Sequence, residues 1–222
     1  MRILITGGTI VTSQKQFVSD ILIEKSKIIS IGNTFADIDK RIDATGCYVF
    51  PGGIDPHVHM HLPTPAGHSS DDFHTGSIAA LHGGTTTIID FVTPFRGQSL
   101  AEAIELRMKE AKISKTDYSF HVSPVEWNEN MEKEIISAIE KGLTSFKIYM
   151  AYKNTTGLED EDIYHVMRAV GAAGGIVTVH AEMGDNIEIL RNRMAEKEFL
   201  SPKAHPQSRP PETEAEAVKK VI

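Results

Sequence analysis

Hydrophobic and polar residues follow two different rhythms along this chain, and the change falls near Pro51. Before that point, turn residues such as Gly32, Asn33 and Gly46 separate short apolar runs: RILIT, DILIEKS, KIISIG and CYVF. This spacing is typical of short strands joined by tight turns. It predicts a small antiparallel β unit over residues 1–51.

From residue 52 to residue 222, short apolar runs alternate with longer segments of helical periodicity. The alternation is typical of βα units, whose strands form a parallel sheet. The predicted strands are GGIDPHVHM, TTTIIDFV, DYSFHV, TSFKIYM and GIVTVH. The predicted helices are SDDFHTGSIAALHG, SLAEAIELRMKEAKI, NMEKEIISAIEKG and LEDEDIYHVMRAVGAAG. In the second helix, Ser99 and Glu102 have the spacing of a capping box.

The length of this second region limits its architecture. A (β/α)8 barrel takes about 250 residues, so residues 52–222 provide about five to six of its βα units. The last segment, PPETEAEAVKKVI, has the pattern of a helix that is still running at Ile222. We therefore expect the chain to be the front part of a longer protein, with a partial barrel domain over residues 52–222.

The composition excludes several classes of partner. The 222 residues carry a net charge of −7 and are 41% hydrophobic, as in an ordinary globular protein. The acidic balance provides no basic patch for nucleic acid or an anionic membrane, and the longest apolar runs are too short to span a bilayer. The start MRILITGGTIV lacks the features of a signal peptide, and Cys47 is the only cysteine. These features predict a cytoplasmic protein with a small-molecule substrate.

Three histidines, His57, His59 and His61, alternate in the stretch PGGIDPHVHMH. Residues at i, i+2 and i+4 lie on one face of a strand, so the spacing predicts neighbouring imidazoles within reach of one ion. Histidine is the commonest metal ligand, but most histidines in a chain are ordinary surface or capping residues. The spacing of His57 and His59 by itself therefore leaves a metal site and a plain structural role both open.

Two further polar residues fall in or at the end of predicted strands. Lys147 lies between Phe146 and Ile148, where a buried, unpaired ammonium would be costly. Such a lysine is paired, extends its charge to solvent, or is chemically used. His180 ends the run GIVTVH. Because active sites of βα barrels lie at the carboxyl ends of the strands, we expect the HVH pair, Lys147 and His180 at one rim. An anionic Lys147 would allow two metal ions there.

Five segments, in this order, resemble the dihydropyrimidinase and hydantoinase branch of the amidohydrolase superfamily. They are PGGIDPHVHMHLP, DDFHTGSIAALHGGTTTIIDF, SFKIYMAYKN, VHAEMGD and SRPPETEAEAV, and the resemblance covers nearly the whole chain. The resemblance implies an α/β fold: an amidohydrolase-type (β/α)8 TIM barrel, of which about the first five to six units are present. It also implies that residues 1–51 are the N-terminal part of a small β-sandwich domain, and that the protein is a homotetramer.

By this resemblance His57 and His59 bind the more buried of two zinc ions, and His180 binds the other. Lys147 is N6-carboxylated by CO2 and bridges both ions. Tyr152 hydrogen-bonds the substrate carbonyl and the negative charge that develops on it. The implied activity is zinc-dependent hydrolysis of a small cyclic amide or ureide, which opens dihydropyrimidines or 5-substituted hydantoins to N-carbamoyl amino acids.

The chain departs from the family pattern at several points. His61 stands where the family often has an acidic residue, and Met183 stands where it has an asparagine, close to His180. The second histidine of the more exposed zinc and the aspartate that acts as general base are expected in sequence that follows Ile222. His205, the only histidine after His180, is interpreted as a residue of a Pro-rich loop and not as a replacement ligand.

The same residues distinguish this family branch from related functions. Dihydroorotases typically carry an arginine shortly after the HxH pair, where this chain has His61 and Leu62. Collapsin response mediator proteins share the fold but lack the metal histidines, so their retention here favours an enzyme. The alternative is a truncated or non-catalytic dihydropyrimidinase-related protein without a complete binuclear site. The segment LPTPAGHSSDD resembles a loop that sets substrate preference, with a plain βα connection as the alternative, and the preferred ring stays open.

Overall fold

The structure is a computed structural model that describes residues 1–32, 37–64 and 66–222. Asn33, predicted as a turn residue, and Pro65 of the Pro-rich segment lie outside the described residues. The chain divides into two compact units, Met1–Gly53 and Ile54–Ile222. In the part of the chain that the structure describes, no helix combines the length and the apolar character needed to cross a membrane.

The first unit contains a five-stranded sheet. Its strands are β1 (Arg2–Val11), β2 (Gln16–Glu24), β3 (Lys27–Gly32), β4 (Lys40–Asp43) and β5 (Tyr48–Val49). The first three strands pair antiparallel, whereas β4 and β5 follow one another along the other edge of β1 and run parallel to it. The prediction of an antiparallel unit is therefore wrong for β4 and β5. Parallel pairing needs a longer connection that returns the chain to the start of β1. No local turn motif in the sequence indicates such a connection.

Seven further strands follow along the described chain. They are β6 (Gly53–Asp55), β7 (Pro63–Thr64), β8 (Gly67–His68), β9 (Thr85–Val92), β10 (Asp117–Val122), β11 (Ser145–Tyr149) and β12 (Ile176–His180). β6 and β9 to β12 form one sheet in sequence order, and the pairs from β9 to β12 are parallel. β7 and β8 form a separate antiparallel hairpin. A parallel sheet whose strands follow the chain order is the arrangement of part of a βα barrel.

The helices of the described chain lie between and after these strands. They are α1 (Phe73–His82), α2 (Leu100–Ala111), α3 (Met131–Glu140), α4 (Asp160–Ala172), α5 (Gly184–Glu196), α6 (Ala204–Gln207) and α7 (Pro211–Val221). The four predicted helices and the helical end of the chain are confirmed, whereas α5 and α6 were not predicted. His205 lies in α6 and not in a loop, because a single helical turn tolerates the neighbouring Pro206.

One apolar core joins the sheet to its helices. Strands β9 to β11 and helices α2 to α4 contribute side chains that are almost completely buried, among them Ile88, Phe120, Phe146, Leu100, Ile135 and Val166. The capping box predicted for α2 is confirmed, because the Glu102 N–H donates to Ser99 Oγ at 3.2 Å and the Ser99 N–H donates to Glu102 Oε2 at 3.4 Å.

Candidate metal centre

The two histidines of the HVH segment are neighbours, although they do not lie on a strand. β6 ends at Asp55, and the next residue, Pro56, has no N–H with which to continue the ladder. His57 and His59 therefore lie in the loop after the strand, and the prediction that they share a strand face is wrong. Their ring centroids are 5.2 Å apart. Both rings contact Phe91 at the end of β9, and His59 stacks on it at 4.5 Å.

The surroundings of these two histidines favour the neutral imidazole. Partial removal from water is the largest cause that lowers the pKa of each ring. The positive charge of Lys147 lowers the pKa of His57 further, while the carboxylate of Asp55 opposes the shift. At His59 the carboxylate of Asp90 opposes it in the same way. A neutral imidazole keeps a lone pair available, which is the form of histidine that binds metal ions.

His61 has different surroundings from the HVH pair. Its backbone lies in the left-handed region, with a φ of 49°, and its N–H donates to the carbonyl of Asp71 at 2.6 Å. Its ring stacks on His68 of the β7–β8 hairpin, with ring centroids 4.0 Å apart. The prediction that His61 lies on the same face as His57 and His59 is therefore wrong, because the chain turns at this residue.

Lys147 lies in the middle of β11 with only 8% of its surface exposed. Its neighbours Phe146 and Ile148 are fully buried in the core. Burial lowers the pKa of the Lys147 amine. Its Nζ lies 5.4 Å from the ring centroid of Tyr149, and among the described residues no hydrogen bond or ion pair reaches this nitrogen. The side chain is therefore largely buried and its amine has no protein partner, but Nζ itself is not fully buried, because Ser123 Oγ is the one fully buried side-chain polar atom without a partner in the described residues. A largely buried lysine without a protein partner is a candidate for chemical use.

His180 ends β12, where it pairs in register with Tyr149 of β11. Its Nε2 lies 2.7 Å from Glu182 Oε2. Because a carboxylate only accepts hydrogen bonds, Nε2 carries the proton, and in the neutral ring Nδ1 keeps the lone pair. Arg209 Nε lies 3.7 Å from the other oxygen of Glu182 and so holds this carboxylate in place. Carboxylate partners of this kind commonly orient metal-binding histidines.

Glu182 was not predicted as a site residue, although its place in VHAEMGD gives a local signal. An acidic residue two positions after a candidate ligand lies close enough to bond to it. Met183, which departs from the family pattern, is the N-cap of α5 and packs against the hydrophobic core.

Tyr152 lies in a tight loop after β11 and is 43% exposed. Its backbone has a φ of 61°, a left-handed conformation that costs free energy for a residue with a side chain. Its carbonyl accepts from the N–H groups of Thr155 and Gly157, each at 2.9 Å. The Tyr152 ring lies 5.4 Å from the ring of His180, centroid to centroid. The loop therefore presents a phenol next to the end of β12.

Arg96 binds the loop that contains Tyr152, and it was also not predicted as a site residue. Its Nη2 donates to the carbonyls of Lys153 at 3.1 Å and Gly157 at 3.0 Å. A side chain at Gly157 would collide with the backbone, because a Cβ there would lie 2.3 Å from the carbonyl oxygen of Ala151. The position of Tyr152 thus depends on one distant arginine and one obligatory glycine.

The donor set indicates which kind of metal centre this end of the sheet can form. No group of three or more His, Cys, Asp or Glu side chains within residues 1–32, 37–64 and 66–222 is arranged to hold a metal ion. The rings of His57, His59 and His121 nevertheless all contact Phe91 of β9, and Lys147 and His180 both lie beside Tyr149 of β11, so these groups gather at the same sheet. Two neutral imidazoles, a third histidine with an oriented ring and a largely buried lysine without a protein partner fit a metal centre if the lysine supplies an anionic ligand.

The fold and this donor set point to one class of protein. The sequence profile of the Amidohydrolase family matches residues 48–212, and the chain belongs to this family.

Individual relatives show which members of this family the chain is similar to. A D-hydantoinase of Geobacillus stearothermophilus is 43% identical over 217 residues, which are 96% of this chain and 46% of the relative. A dihydropyrimidinase of Dictyostelium discoideum is 42% identical and covers 99% of this chain and 44% of the relative. A crystal structure of a D-hydantoinase matches the fold with a TM-score of 0.96 at 40% identity, over 100% of this chain and 49% of that one. The predicted family resemblance and the partial amidohydrolase barrel are confirmed, and the chain spans about half the length of the curated relatives it matches.

Proposed function

We propose that this chain contributes the metal centre of a zinc-dependent cyclic amidohydrolase. The proposed reaction opens a dihydropyrimidine or a 5-substituted hydantoin to an N-carbamoyl amino acid, and the similarity to a D-hydantoinase and a dihydropyrimidinase supports this substrate class. The observation that carries the proposal is Lys147, a largely buried lysine whose amine has no hydrogen-bond or ion-pair partner among the described residues, in the same sheet as His180 and near His57. The homotetrameric state and the cytoplasmic location stay predictions.

In this proposal His57 and His59 would hold one zinc ion, His180 would hold the second, and carboxylated Lys147 would supply an anionic ligand to both. When bound, the two ions acidify a water molecule and polarise the substrate carbonyl. Carboxylation joins the neutral amine to CO2 through a new N–C bond and releases one proton, which leaves a carbamate anion. The lowered pKa of Lys147 supports this step because the neutral amine is the form that reacts.

Tyr152 has the role of a hydrogen-bond donor to the substrate. Its phenol O–H donates to the carbonyl oxygen of the ring amide and stabilises the negative charge that grows there before the ring C–N bond breaks. Donors of this type typically contribute about 10²–10³-fold to the rate. The Arg96 contacts support the loop that carries Tyr152, while Glu182 orients the ring of His180.

The test measures zinc content and lysine carboxylation in the same chain. The protein is prepared with zinc and ¹³C-labelled bicarbonate, zinc is counted by elemental analysis, and the carbamate carbon is observed by NMR. We expect two zinc ions and one carbamate signal, and we expect Lys147→Ala to abolish the signal. Lys133→Ala, which removes an exposed lysine of α3, is the matched control. We expect it to leave the zinc content and the carbamate signal unchanged.

A chain that takes up neither zinc nor CO2 would contradict the proposed centre. That outcome favours the alternative of a non-catalytic, dihydropyrimidinase-related protein. The specific observation in favour of this alternative is that, leaving Lys147 aside, no three metal-binding side chains in the described part of the chain form a site. If the centre forms, hydrolysis of dihydrouracil and hydantoin by the full-length protein distinguishes the two ring types.

A further inference from the structure

Buried polar groups hold the backbone immediately before and immediately after the HVH segment. The segment is a loop, so no ladder of strand hydrogen bonds fixes the directions of His57 and His59. The Val58 N–H, between the two histidines, donates to the carbonyl of Ile89 at 3.2 Å. The two residues that flank the segment, Pro56 and Met60, are each bound by a side chain from another element.

His121 of β10 binds the residue before the segment. It is 8% exposed, its Nε2 lies 2.8 Å from the carbonyl oxygen of Pro56, and its Nδ1 lies 2.7 Å from Ser145 Oγ. A carbonyl only accepts, so Nε2–H donates to Pro56, and in the neutral ring Nδ1 accepts from the Ser145 hydroxyl. Both nitrogens of His121 are therefore occupied by protein groups. This use makes His121 a structural anchor and not a free ligand.

Asp90 of β9 and Arg107 of α2 bind the residue after the segment. The Met60 N–H donates to Asp90 Oδ2 at 2.7 Å, and Arg107 Nη2 donates to the Met60 carbonyl at 2.5 Å. Arg107 also donates to Asp90 Oδ1 from Nε at 3.1 Å and from Nη2 at 2.6 Å. Asp90 is fully buried, and the guanidinium carbon of Arg107 lies 4.7 Å from the ring centroid of Phe73. Both backbone groups of Met60 are thus fixed by one buried ion pair.

We propose that His121 and the Asp90–Arg107 pair are positioning residues that together hold His57 and His59 in the orientation needed to bind zinc. The inference rests on the proposed metal centre, but neither anchor is a ligand. Their action goes through the backbone of Pro56 and Met60. An ordinary core contact would stabilise the whole unit, whereas these contacts act on the two residues that flank the ligand pair.

The test compares variants of the whole chain that keep or remove the critical donor. His121→Phe keeps a ring but loses the bond to Pro56, and His121→Gln retains an amide N–H that can replace Nε2–H. Arg107→Lys keeps the charge but provides one nitrogen in place of the guanidinium fork. Glu110→Gln is the matched control, because Glu110 contacts Arg107 Nη1 from the exposed side and does not touch the segment.

Two measurements are made on each variant. Zinc affinity is determined by competition with a chelator, and amide hydrogen exchange is followed in the metal-free chain. We expect His121→Phe and Arg107→Lys to weaken zinc binding by about 10–100-fold, and the Val58 amide to exchange at least several times faster. The Ile148 amide in β11, as an internal reference, keeps its rate. His121→Gln restores most of the affinity, and Glu110→Gln matches the unmodified chain.

Failure of the positioning role and failure of the proposed metal centre give different results. Unchanged zinc affinity and unchanged Val58 exchange in His121→Phe and Arg107→Lys overturn the positioning role. If the unmodified chain binds no zinc, the proposed metal centre fails, and selective acceleration of Val58 exchange then decides whether the anchors hold the segment. Should His121→Phe lose its fold, seen as fast exchange at Ile148 as well, the decision passes to Arg107→Lys under the same criteria.

Discussion

Asp90 in β9 and Lys147 in β11 are both charged residues buried in the same parallel sheet, yet their surroundings differ completely. Asp90 is fully buried and accepts hydrogen bonds from the Met60 N–H and from two nitrogens of Arg107. Lys147 is also largely buried, but its Nζ keeps some access to water, and in the described part of the chain no carboxylate or carbonyl accepts from it. A buried charge with all its partners is part of the architecture, whereas one without partners is available for chemistry.

Removal of the Asp90 carboxylate has the largest expected effect among the tests of this comparison. Asp90→Ala leaves the Arg107 guanidinium without its counterion, and we expect the free energy of unfolding of the metal-free chain to fall by about 3–5 kcal/mol. Urea unfolding followed by circular dichroism measures this loss. A loss below about 1 kcal/mol would show that water replaces the carboxylate and that the pair is not structural.

The opposite result is expected for Lys147. Lys147→Met keeps the length of the side chain and removes an amine that has no partner, so the metal-free, CO2-free chain should gain about 1–2 kcal/mol of stability at neutral pH. The same denaturant titration provides the value. Destabilisation by a similar amount would mean that the amine has a favourable contact and would remove the contrast with Asp90.

The pH dependence of the free energy of unfolding, compared between the unmodified chain and Lys147→Met, separates an effect of charge from an effect of packing. Burial lowers the pKa of Lys147 in the folded chain, so between that pKa and the ordinary value of about 10.4 the unfolded chain binds more protons. Stability contributed by this group therefore rises with pH through that window. We expect the advantage of Lys147→Met over the unmodified chain to shrink as the pH approaches about 10.4. An advantage that is constant with pH would assign it to packing and not to charge.

The smallest expected effect concerns the exposed side of the Arg107 network. Glu110 contacts Arg107 Nη1 at 2.5 Å, but about half of its side chain is exposed. Glu110→Gln should change the free energy of unfolding by less than about 0.5 kcal/mol. Thermal unfolding at low and at moderate salt measures it, and a loss comparable to that of Asp90→Ala would mean that burial is not what separates the two carboxylates.

Features that depend on local patterns were predicted correctly from the sequence. The alternation of apolar runs and helical periodicity indicated the strands from β9 to β12, and the Ser99–Glu102 spacing indicated the start of α2. The apolar neighbours of Lys147 indicated that it would be buried. In each case the physical signal lies within a few residues of the feature itself.

Features that depend on distant partners were missed. The strand predicted through the HVH segment stops at Asp55, and the segment is held by His121, which bonds to Pro56 across 65 residues of sequence. Arg96 reaches Gly157 across 61 residues. No local pattern encodes such contacts, because they form only when the parallel sheet brings separate strand ends to one edge.

The sequence by itself determined the family, the order of the βα units and the residue types offered to a metal, because motifs and periodicities are local properties of the chain. The tertiary structure decided which of those residues become neighbours. It separated His61 from the HVH pair, added Glu182 beside His180, and left Lys147 without a partner while it satisfied Asp90. The physical reason is that hydrogen-bond partners and access to water are set by packing between elements, and packing is a property of the folded chain.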